Sequence, residues 1–131
     1  AAGNYVHNIV STLLKPFGLS SEQYHVLEIL ISVSPKPVTF THIQEKMNNK
    51  SSNVTRLVDK LVEWGYVSRD LNPVHRRKMD IKITKEGKQL MRKVDKVIPQ
   101  LYAEFEHMSL AEVEQLNELL TKLKQMAPST K

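Results

Sequence analysis

Two groups of hydrogen-bonding and cationic side chains lie close together in the middle of the sequence. The first group is Lys50, Ser51, Ser52, Asn53, Thr55, Arg56 and Lys60. The second group is His75, Arg76, Arg77 and Lys78. Arginine can donate two hydrogen bonds to guanine, asparagine favours adenine, and serine or threonine hydroxyls are permissive. Because clustered cations also suit phosphates and the narrow minor groove, both groups favour contact with double-stranded DNA.

The positive charge of the chain is concentrated in the segment that holds both groups. Between Lys50 and Lys78 there are seven Lys or Arg against three Asp or Glu, a net charge of +4, while the whole chain has +5. Taken alone, the first group could be a solvated helix face and the second a basic surface loop. Asp59 and Glu63 would repel phosphate, although they lie toward the far end of the helix. The concentration of charge favours the DNA interpretation.

The first group needs a helix to position it. Apolar residues recur there at i, i+3, i+4, i+7 and i+8, namely Val54, Leu57, Val58, Leu61 and Val62. We expect this helix, the fourth of the chain, to begin near Ser51 or Ser52 and to end at Gly65, where a positive φ is favoured. At about 100° per residue, burial of the apolar stripe is expected to direct five side chains away from the core, namely Ser52, Asn53, Thr55, Arg56 and Lys60.

The second group needs a hairpin to present it. Residues 78–83 alternate between charged and apolar side chains, which predicts a half-buried strand ending at Ile83. Tyr66 to Arg69 is the expected partner strand, and Asn72–Pro73 marks the turn region between the two strands. The second group would then lie at the tip of this hairpin, beside the helix that carries the first.

Helical periodicity and capping patterns predict the remaining elements. We expect further helices at roughly 4–15, 20–33, 39–47, 84–106 and 109–126, with the helix at 84–106 bent at Pro99. The short third helix, a tight turn at 48–50, the fourth helix and the hairpin together make a winged helix-turn-helix. The predicted fold is therefore mainly α with a small β-hairpin wing, flanked by terminal helices.

Three stretches of the sequence resemble the multiple-antibiotic-resistance regulator (MarR) family. They are LSSEQYHVLEIL, NNKSSNVTRLVDKLVEWGYVSR and NPVHRRKMDIKITKEGKQL, and the likeness covers roughly Leu19 to Met126. The resemblance implies a transcription regulator, with a repressor as the expected kind, that binds a palindromic operator in double-stranded DNA as a homodimer. It also implies that the chain is bacterial.

The resemblance assigns roles to residues of both groups. Arg76 resembles the wing arginine that enters the minor groove, and Arg77 resembles its neighbour on the DNA backbone. Five residues fall on reading-helix positions, namely Ser51, Ser52, Asn53, Thr55 and Arg56. The chain departs from the family at Asn72 and His75, where an aspartate is common. An acidic residue there can brace the wing arginine, so this departure questions how rigidly the wing is held.

The family pattern treats the chain as one domain, 1–131. Residues 19–98 would form the winged helix-turn-helix lobe, including the start of a long linker helix, and 1–18 and 99–131 would be dimerisation helices. The residues expected at the dimer interface are Val6, Ile9, Val10, Leu13, Leu116, Leu119, Leu120 and Leu123. Composition alone leaves a second interpretation equally open, in which these side chains complete the core of a single subunit; the resemblance favours dimerisation.

The resemblance also implies a small aromatic or anionic effector. Candidate pocket residues are Tyr5, Phe17, Tyr24, His25 and Trp64, although ordinary core aromatics and a satisfied histidine explain them better. The five histidines show no metal-ligand spacing, although residues brought together by the fold could still bind a metal. The absence of cysteine excludes thiolate metal sites and thiol-based redox sensing. We therefore expect no cofactor.

Other function classes find little support. The apolar stretches fall well short of the roughly 20 residues that a membrane span needs, and no signal peptide is visible, so a cytoplasmic location is expected. We find no glycine-rich phosphate loop, no nucleophile with a credible base and no paired carboxylates, so an enzyme is not predicted. The alternative is a winged-helix module that binds proteins without specific DNA binding. A strong salt dependence of DNA binding would distinguish the two.

Overall fold

The computed structural model describes residues 10–126. For residues 98, 100–102, 104, 105, 110, 120, 121 and 123–126 it describes only the backbone. The chain divides into two compact units. One unit is Glu22–Arg92, and the other consists of Ala1–Ser21 with Lys93–Lys131, of which 10–21 and 93–126 are described.

The described chain is mainly helical and contains one two-stranded antiparallel sheet. Residues 10–14 are helical (α1) and lead into a 3₁₀ turn at Lys15–Phe17. The elements that follow are α2 (Ser21–Val33), α3 (Phe40–Lys46), α4 (Val54–Glu63), β1 (Val67–Leu71), β2 (Met79–Ile83), α5 (Lys85–Phe105) and α6 (Leu110–Met126). The predicted fold class and the predicted order of elements are confirmed.

The apolar stripe of α4 packs into the core of the unit Glu22–Arg92. Val54, Val58 and Leu61 have exposed fractions of 3%, 0% and 0%, and α4 contacts both α3 and β1. From α3 and its C-terminal cap, Ile43 and Met47 are equally buried. Each such side chain contributes about 1.5–3 kcal/mol when it leaves water. The spacing of the stripe thus fixes which face of α4 is left for solvent and ligands.

The start of α4 differs from the prediction. The helix begins at Val54, and the side chain of Asn53 caps it by accepting a hydrogen bond from the backbone N–H of Arg56 at 3.1 Å. Ser51 and Ser52 lie in a preceding turn, where the Asn49 side chain accepts from the Ser51 N–H at 2.9 Å and the Asn49 carbonyl accepts from the Ser52 N–H at 3.1 Å. The predicted start near Ser51 or Ser52 is therefore wrong, because the asparagine turn competes with helical hydrogen bonding there.

The wing is the hairpin β1–β2 with its connecting loop 72–78. Val67 pairs with Ile83, Arg69 with Ile81 and Leu71 with Met79. On the face that these residues share, the buried side chains are Val67, Ile81 and Ile83. The second strand was predicted correctly, whereas the first extends to Leu71, past the expected end at Arg69. Val38 also forms an isolated antiparallel bridge with Ile81, which ties the loop before α3 to the hairpin.

Thr84 joins the hairpin to the start of α5. Its hydroxyl accepts from the backbone N–H of Gly87 at 3.1 Å, which confirms the predicted cap, and donates to the carbonyl of Gly65 at 2.7 Å. Its backbone N–H donates to the carbonyl of Tyr66 at 3.0 Å. Gly65 has the predicted positive φ, at 84°. The end of α4, the entry into β1 and the start of α5 therefore meet at one residue.

The other unit joins the segment 10–21 to α6. The Thr12 hydroxyl donates to the side-chain oxygen of Asn117 at 3.1 Å, and the Lys15 ammonium donates to the Asn117 carbonyl at 3.3 Å. The predicted capping box opens α6, with Ser109 and Glu112 exchanging hydrogen bonds at 3.1 and 3.2 Å. Hydrogen bonds from the backbone N–H and the side chain of Ser109 to the carboxylate hold the pKa of Glu112 below its usual value. Pro99 lies within α5, and the bend predicted there stays a prediction.

Candidate nucleic-acid interface

The outer face of α4 brings together most of the first predicted group. Thr55, Arg56 and Lys60 are exposed on the helix, and Asn53 is exposed immediately before it. A shallow depression of about 320 Å³ is lined by Asn53, Thr55, Arg56, Asp59, Lys60 and Glu63. The face therefore offers amide, hydroxyl and guanidinium groups side by side, which is the set that can hydrogen-bond to base edges.

Lys50 lies beside this face, in the turn that precedes α4. The groove between α3 and α4 has a volume of about 490 Å³ and is lined by Phe40, Thr41, Gln44, Glu45, Lys50, Val54 and Thr55. The Lys50 ammonium donates to the carbonyl of Glu45, and the Lys50 carbonyl accepts from the Gln44 side chain at 3.2 Å. Lys50 is thus held at the C-terminal end of α3, while Ser51 is exposed in the same turn.

Ser52 does not belong to the exposed face. It is 9% exposed, and its hydroxyl donates to the carboxylate of Glu22 at the start of α2. The prediction that its side chain points outward is wrong. Ser52 precedes α4, so helical periodicity does not determine where its side chain points, and no local pattern reveals a partner thirty positions away. The structure gives Ser52 a role in fastening the helix-turn-helix to α2.

We expect Ser52→Ala to destabilise the protein by about 1–2 kcal/mol because the hydrogen bond to Glu22 is lost. Ser51→Ala is the matched control and should change stability by less than about 0.5 kcal/mol, since Ser51 is exposed. Urea unfolding of both variants measures the difference. If Ser52→Ala weakened DNA binding while leaving stability unchanged, Ser52 would be a contact residue after all.

The two acidic residues on the outer face of α4 each lie next to a cation. Asp59 forms an ion pair with Arg69 on β1, and Glu63 lies 3.5 Å from the ammonium of Lys60. Both pairs are solvent-exposed, so each contributes at most about 1 kcal/mol to stability. Their effect on the surface charge matters more, because Asp59 and Glu63 are largely compensated. Among the described residues, Arg56 has no carboxylate partner and keeps its full charge for a ligand.

The second predicted group lies at the tip of the wing. His75, Arg76, Arg77 and Lys78 are all exposed, and neither arginine forms an ion pair within the described part of the chain. The loop that carries them is organised by Asn72. The side-chain oxygen of Asn72 accepts from the backbone N–H groups of Val74 and His75 at 2.9 and 2.8 Å. Sequence reasoning identified Asn72 only as a turn residue and a departure from the family.

The residues suggested for an effector pocket fall into both units. Phe17 belongs to one unit, Tyr24, His25 and Trp64 belong to the other, and Tyr5 lies outside the described residues. His25 is engaged locally, with Nε2 at 3.1 Å from the carbonyl of Lys46 and Nδ1 at 3.6 Å from the Glu28 carboxylate. In the described structure the indole N–H of Trp64 is a buried donor with no hydrogen-bond partner.

The residues suggested for a dimer interface differ in exposure. Leu13 is 2% exposed, Val10 and Leu116 are half-buried, and Leu119 is 56% exposed. Val6 and Ile9 lie outside the described residues, and only the backbone of Leu120 and Leu123 is described. Leu13 is therefore already buried in the single chain. Among the side chains of this set that the structure describes, Leu119 is the one that α6 exposes most to solvent.

Two other kinds of site were sought among the described residues. No group of three His, Cys, Asp or Glu side chains there could hold a metal ion. No helix within residues 10–126 is both long and apolar enough to cross a membrane.

The chain is similar to known bacterial proteins in sequence and structure. The model of the MarR family matches residues 17–78. The HTH-type transcriptional regulator PrsX of Escherichia coli is 29% identical over 86 residues, which are 66% of this chain and 52% of PrsX. The chain spans about half the length of the curated relatives it matches.

Solved structures match over most of the chain. A MarR-family transcriptional regulator from Rhodococcus sp. RHA1 has a TM-score of 0.69 and 28% identity, covering 93% of this chain and 86% of its own. CouR from Rhodococcus jostii RHA1, solved with bound p-coumaroyl-CoA, has a TM-score of 0.67 and 27% identity, covering 97% of this chain and 89% of its own. The likeness therefore includes the terminal helices as well as the wing.

Proposed function

We propose that the chain is a transcription regulator of the MarR family of winged helix-turn-helix proteins and that it binds double-stranded DNA sequence-specifically. The observation that carries this proposal is the pairing of an exposed, hydrogen-bonding face on α4 with an exposed cationic wing tip in the same unit. Neither feature is explained by packing, since the apolar side of α4 and the inner face of the hairpin already supply the core.

In this proposal α4 is the reading helix and enters the major groove. Its N-terminal half carries Asn53, Thr55 and Arg56, and this half is the part of a recognition helix that contacts base edges. Asp59 and Glu63 are farther along the helix and are compensated by neighbouring cations. The wing tip would follow phosphates or enter the adjacent minor groove.

We further propose a homodimer on a palindromic operator, with repression as the regulatory effect. A two-fold axis would place two reading helices in successive major grooves, about one helical turn apart. The exposed Leu119 on α6 supports a further apolar contact beyond the single chain. A small aromatic or anionic effector is proposed to release the DNA. CouR supports this class, because p-coumaroyl-CoA is both aromatic and anionic.

Selection from a library of random DNA duplexes tests the proposal, followed by affinity measurements at several salt concentrations. An enriched inverted repeat with half-sites about one helical turn apart is the expected result. Enrichment of single, unrepeated sites would support sequence-specific DNA binding but contradict the proposed homodimer. Weak, salt-sensitive binding with no enrichment would reject sequence-specific recognition.

We expect Arg56→Ala to weaken binding to the selected duplex by about 1–3 kcal/mol and to relax the preference at one base position of each half-site. Arg92→Ala is the matched control, because it removes the same charge from an exposed residue of α5. A repeat selection with each variant measures both effects. If Arg92→Ala produced the same loss, the effect of Arg56 would be one of net charge rather than of base reading.

A protein-binding winged helix is the alternative, and one observation favours it. Leu71 and Val74, both in the wing, are 54% and 79% exposed, and such apolar side chains suit a protein partner. The cations around them suit DNA better. A slope of log affinity against log salt of several units, together with enrichment, would exclude this alternative.

A further inference from the structure

The loop at the tip of the wing is closed by hydrogen bonds that converge on Asn72. Its side-chain oxygen accepts from two successive backbone N–H groups, those of Val74 and His75. Its own backbone N–H donates to the carbonyl of Lys78 at 2.9 Å, and the Lys78 N–H donates to the carbonyl of His75 at 2.8 Å. Arg76 and Arg77 lie between these bonded positions, so the loop conformation that displays them depends on Asn72.

Asn72 is in turn held by β2. Its side-chain amide nitrogen donates to a carboxylate oxygen of Asp80 at 3.0 Å, and both residues are half-buried. Asp80 lies directly across the hairpin from Asp70, with which it forms a cross-strand pair of like charges. A donor at position 72 therefore suits Asp80, whereas a third carboxylate would meet an already negative site. A side-chain amide meets both requirements at position 72, because its oxygen accepts from the loop N–H groups and its nitrogen donates to Asp80 on β2.

We propose that Asn72 and Asp80 form a matched pair that positions the wing and aims Arg76 and Arg77 at DNA. This inference rests on the proposed DNA binding, because the aim of the arginines has a function only there. It also explains the departure from the family pattern at position 72. The wing is braced by an amide–carboxylate pair, without an acidic residue in the loop, so all the charge at its tip stays positive or neutral.

The pair can be reversed without changing the charge of the protein. Asn72→Asp places two carboxylates against each other, while the double variant Asn72→Asp with Asp80→Asn restores one donor and one acceptor. In the double variant the carboxylate at 72 can accept from the loop N–H groups and from the amide at 80. Asp80→Asn alone places two amides next to each other, so the amide of Asn72 can still donate to an oxygen at position 80. Asn72→Asp with Asp70→Asn is the control for charge, since it has the same net charge as the reversed pair but leaves carboxylates at both 72 and 80.

The experiment measures two quantities for these four variants and the original protein. The first is the affinity and sequence preference for the selected duplex, and the second is hydrogen exchange of the Val74 and His75 amides without DNA. We expect Asn72→Asp to bind about five- to tenfold more weakly, with relaxed preference at wing-proximal positions, and to exchange both amides faster by a similar factor. The double variant should return to within about threefold of the original in both measurements.

The two measurements separate failure of this inference from failure of the proposed function. If Asn72→Asp leaves amide exchange unchanged, or if the folded double variant remains as impaired as Asn72→Asp, the matched pair is rejected. If the exchange pattern is as expected but the original protein enriches no DNA sequence, the pair holds the wing and the proposed DNA function fails. Recovery of amide protection in Asn72→Asp with Asp70→Asn as complete as in the reversed pair would assign the effect to charge and reject the pair.

Discussion

Gly87→Ala is expected to destabilise the unit Glu22–Arg92 by at least about 3 kcal/mol, because the first turn of α5 has no room for a methyl group. A Cβ atom at position 87 would lie 2.2 Å from the carbonyl oxygen of Tyr66 and 2.7 Å from Cγ1 of Ile83. The Tyr66 oxygen cannot rotate away, since it belongs to the backbone and accepts from the Thr84 N–H. Either α5 or the hairpin would have to move.

Gly65→Ala provides the comparison for this prediction. At φ +84°, Gly65 has nothing within 4 Å of an added Cβ, so its substitution costs only the left-handed strain of about 1–2 kcal/mol. Urea unfolding of the two variants should therefore show the larger loss at Gly87. A Gly87→Ala protein as stable as Gly65→Ala would mean that α5 does not approach the hairpin this closely.

The fold was predictable wherever short-range patterns decide it. The stripe of α4, the capping box of Ser109 and Glu112 and the positive φ of Gly65 each depend on residues within about two helical turns, and all are confirmed. Features that depend on distant partners were not predictable. The bridge of Val38 to Ile81 is an example, because nothing in the sequence near Val38 indicates a strand partner.

In the candidate site too, local patterns predicted some features, whereas features that depend on distant partners were not predictable. Exposure of Arg56 and of the wing tip follows from local periodicity and was predicted. The placement of Ser52 was not, because its partner Glu22 comes from another helix. Asn72 was identified only as a turn former, although its amide also reaches Asp80 on the opposite strand. Which contacts these residues make with DNA stays a prediction.

The reading helix and the wing are fastened to each other at two points. Arg69 of β1 pairs with Asp59 of α4, and Thr84, at the end of the hairpin, donates to Gly65 at the end of α4. Both contacts join α4 to the hairpin within the unit Glu22–Arg92. If α4 and the wing both contact DNA, the contacts of the wing should then increase the affinity without a separate entropic cost of ordering the hairpin.

We expect the double variant Arg76→Ala with Arg77→Ala to show the largest loss of DNA affinity. Each phosphate contact contributes about 0.9 to the slope of log affinity against log salt. If both arginines contact phosphate, the slope should fall by about 1.8 for each wing that touches DNA, hence by about 3.6 for a dimer. Counted from a reference of about 1 M salt, a slope change of about 1.8 makes binding at about 0.15 M salt about 30-fold weaker for one wing. A change of about 3.6 makes it about 1000-fold weaker for two wings.

The change in slope therefore counts the phosphate contacts that the wing arginines make, which a single affinity cannot do. Arg92→Ala with Lys93→Ala removes two exposed cations from α5 and is the matched control. A loss of about 1.8 would mean two phosphate contacts in all, made either by both arginines of one wing or by Arg77 from each of two wings. An unchanged slope would mean that the wing tip does not contact the backbone. A control that fell as far would show that net charge, and not the geometry of the wing, governs binding.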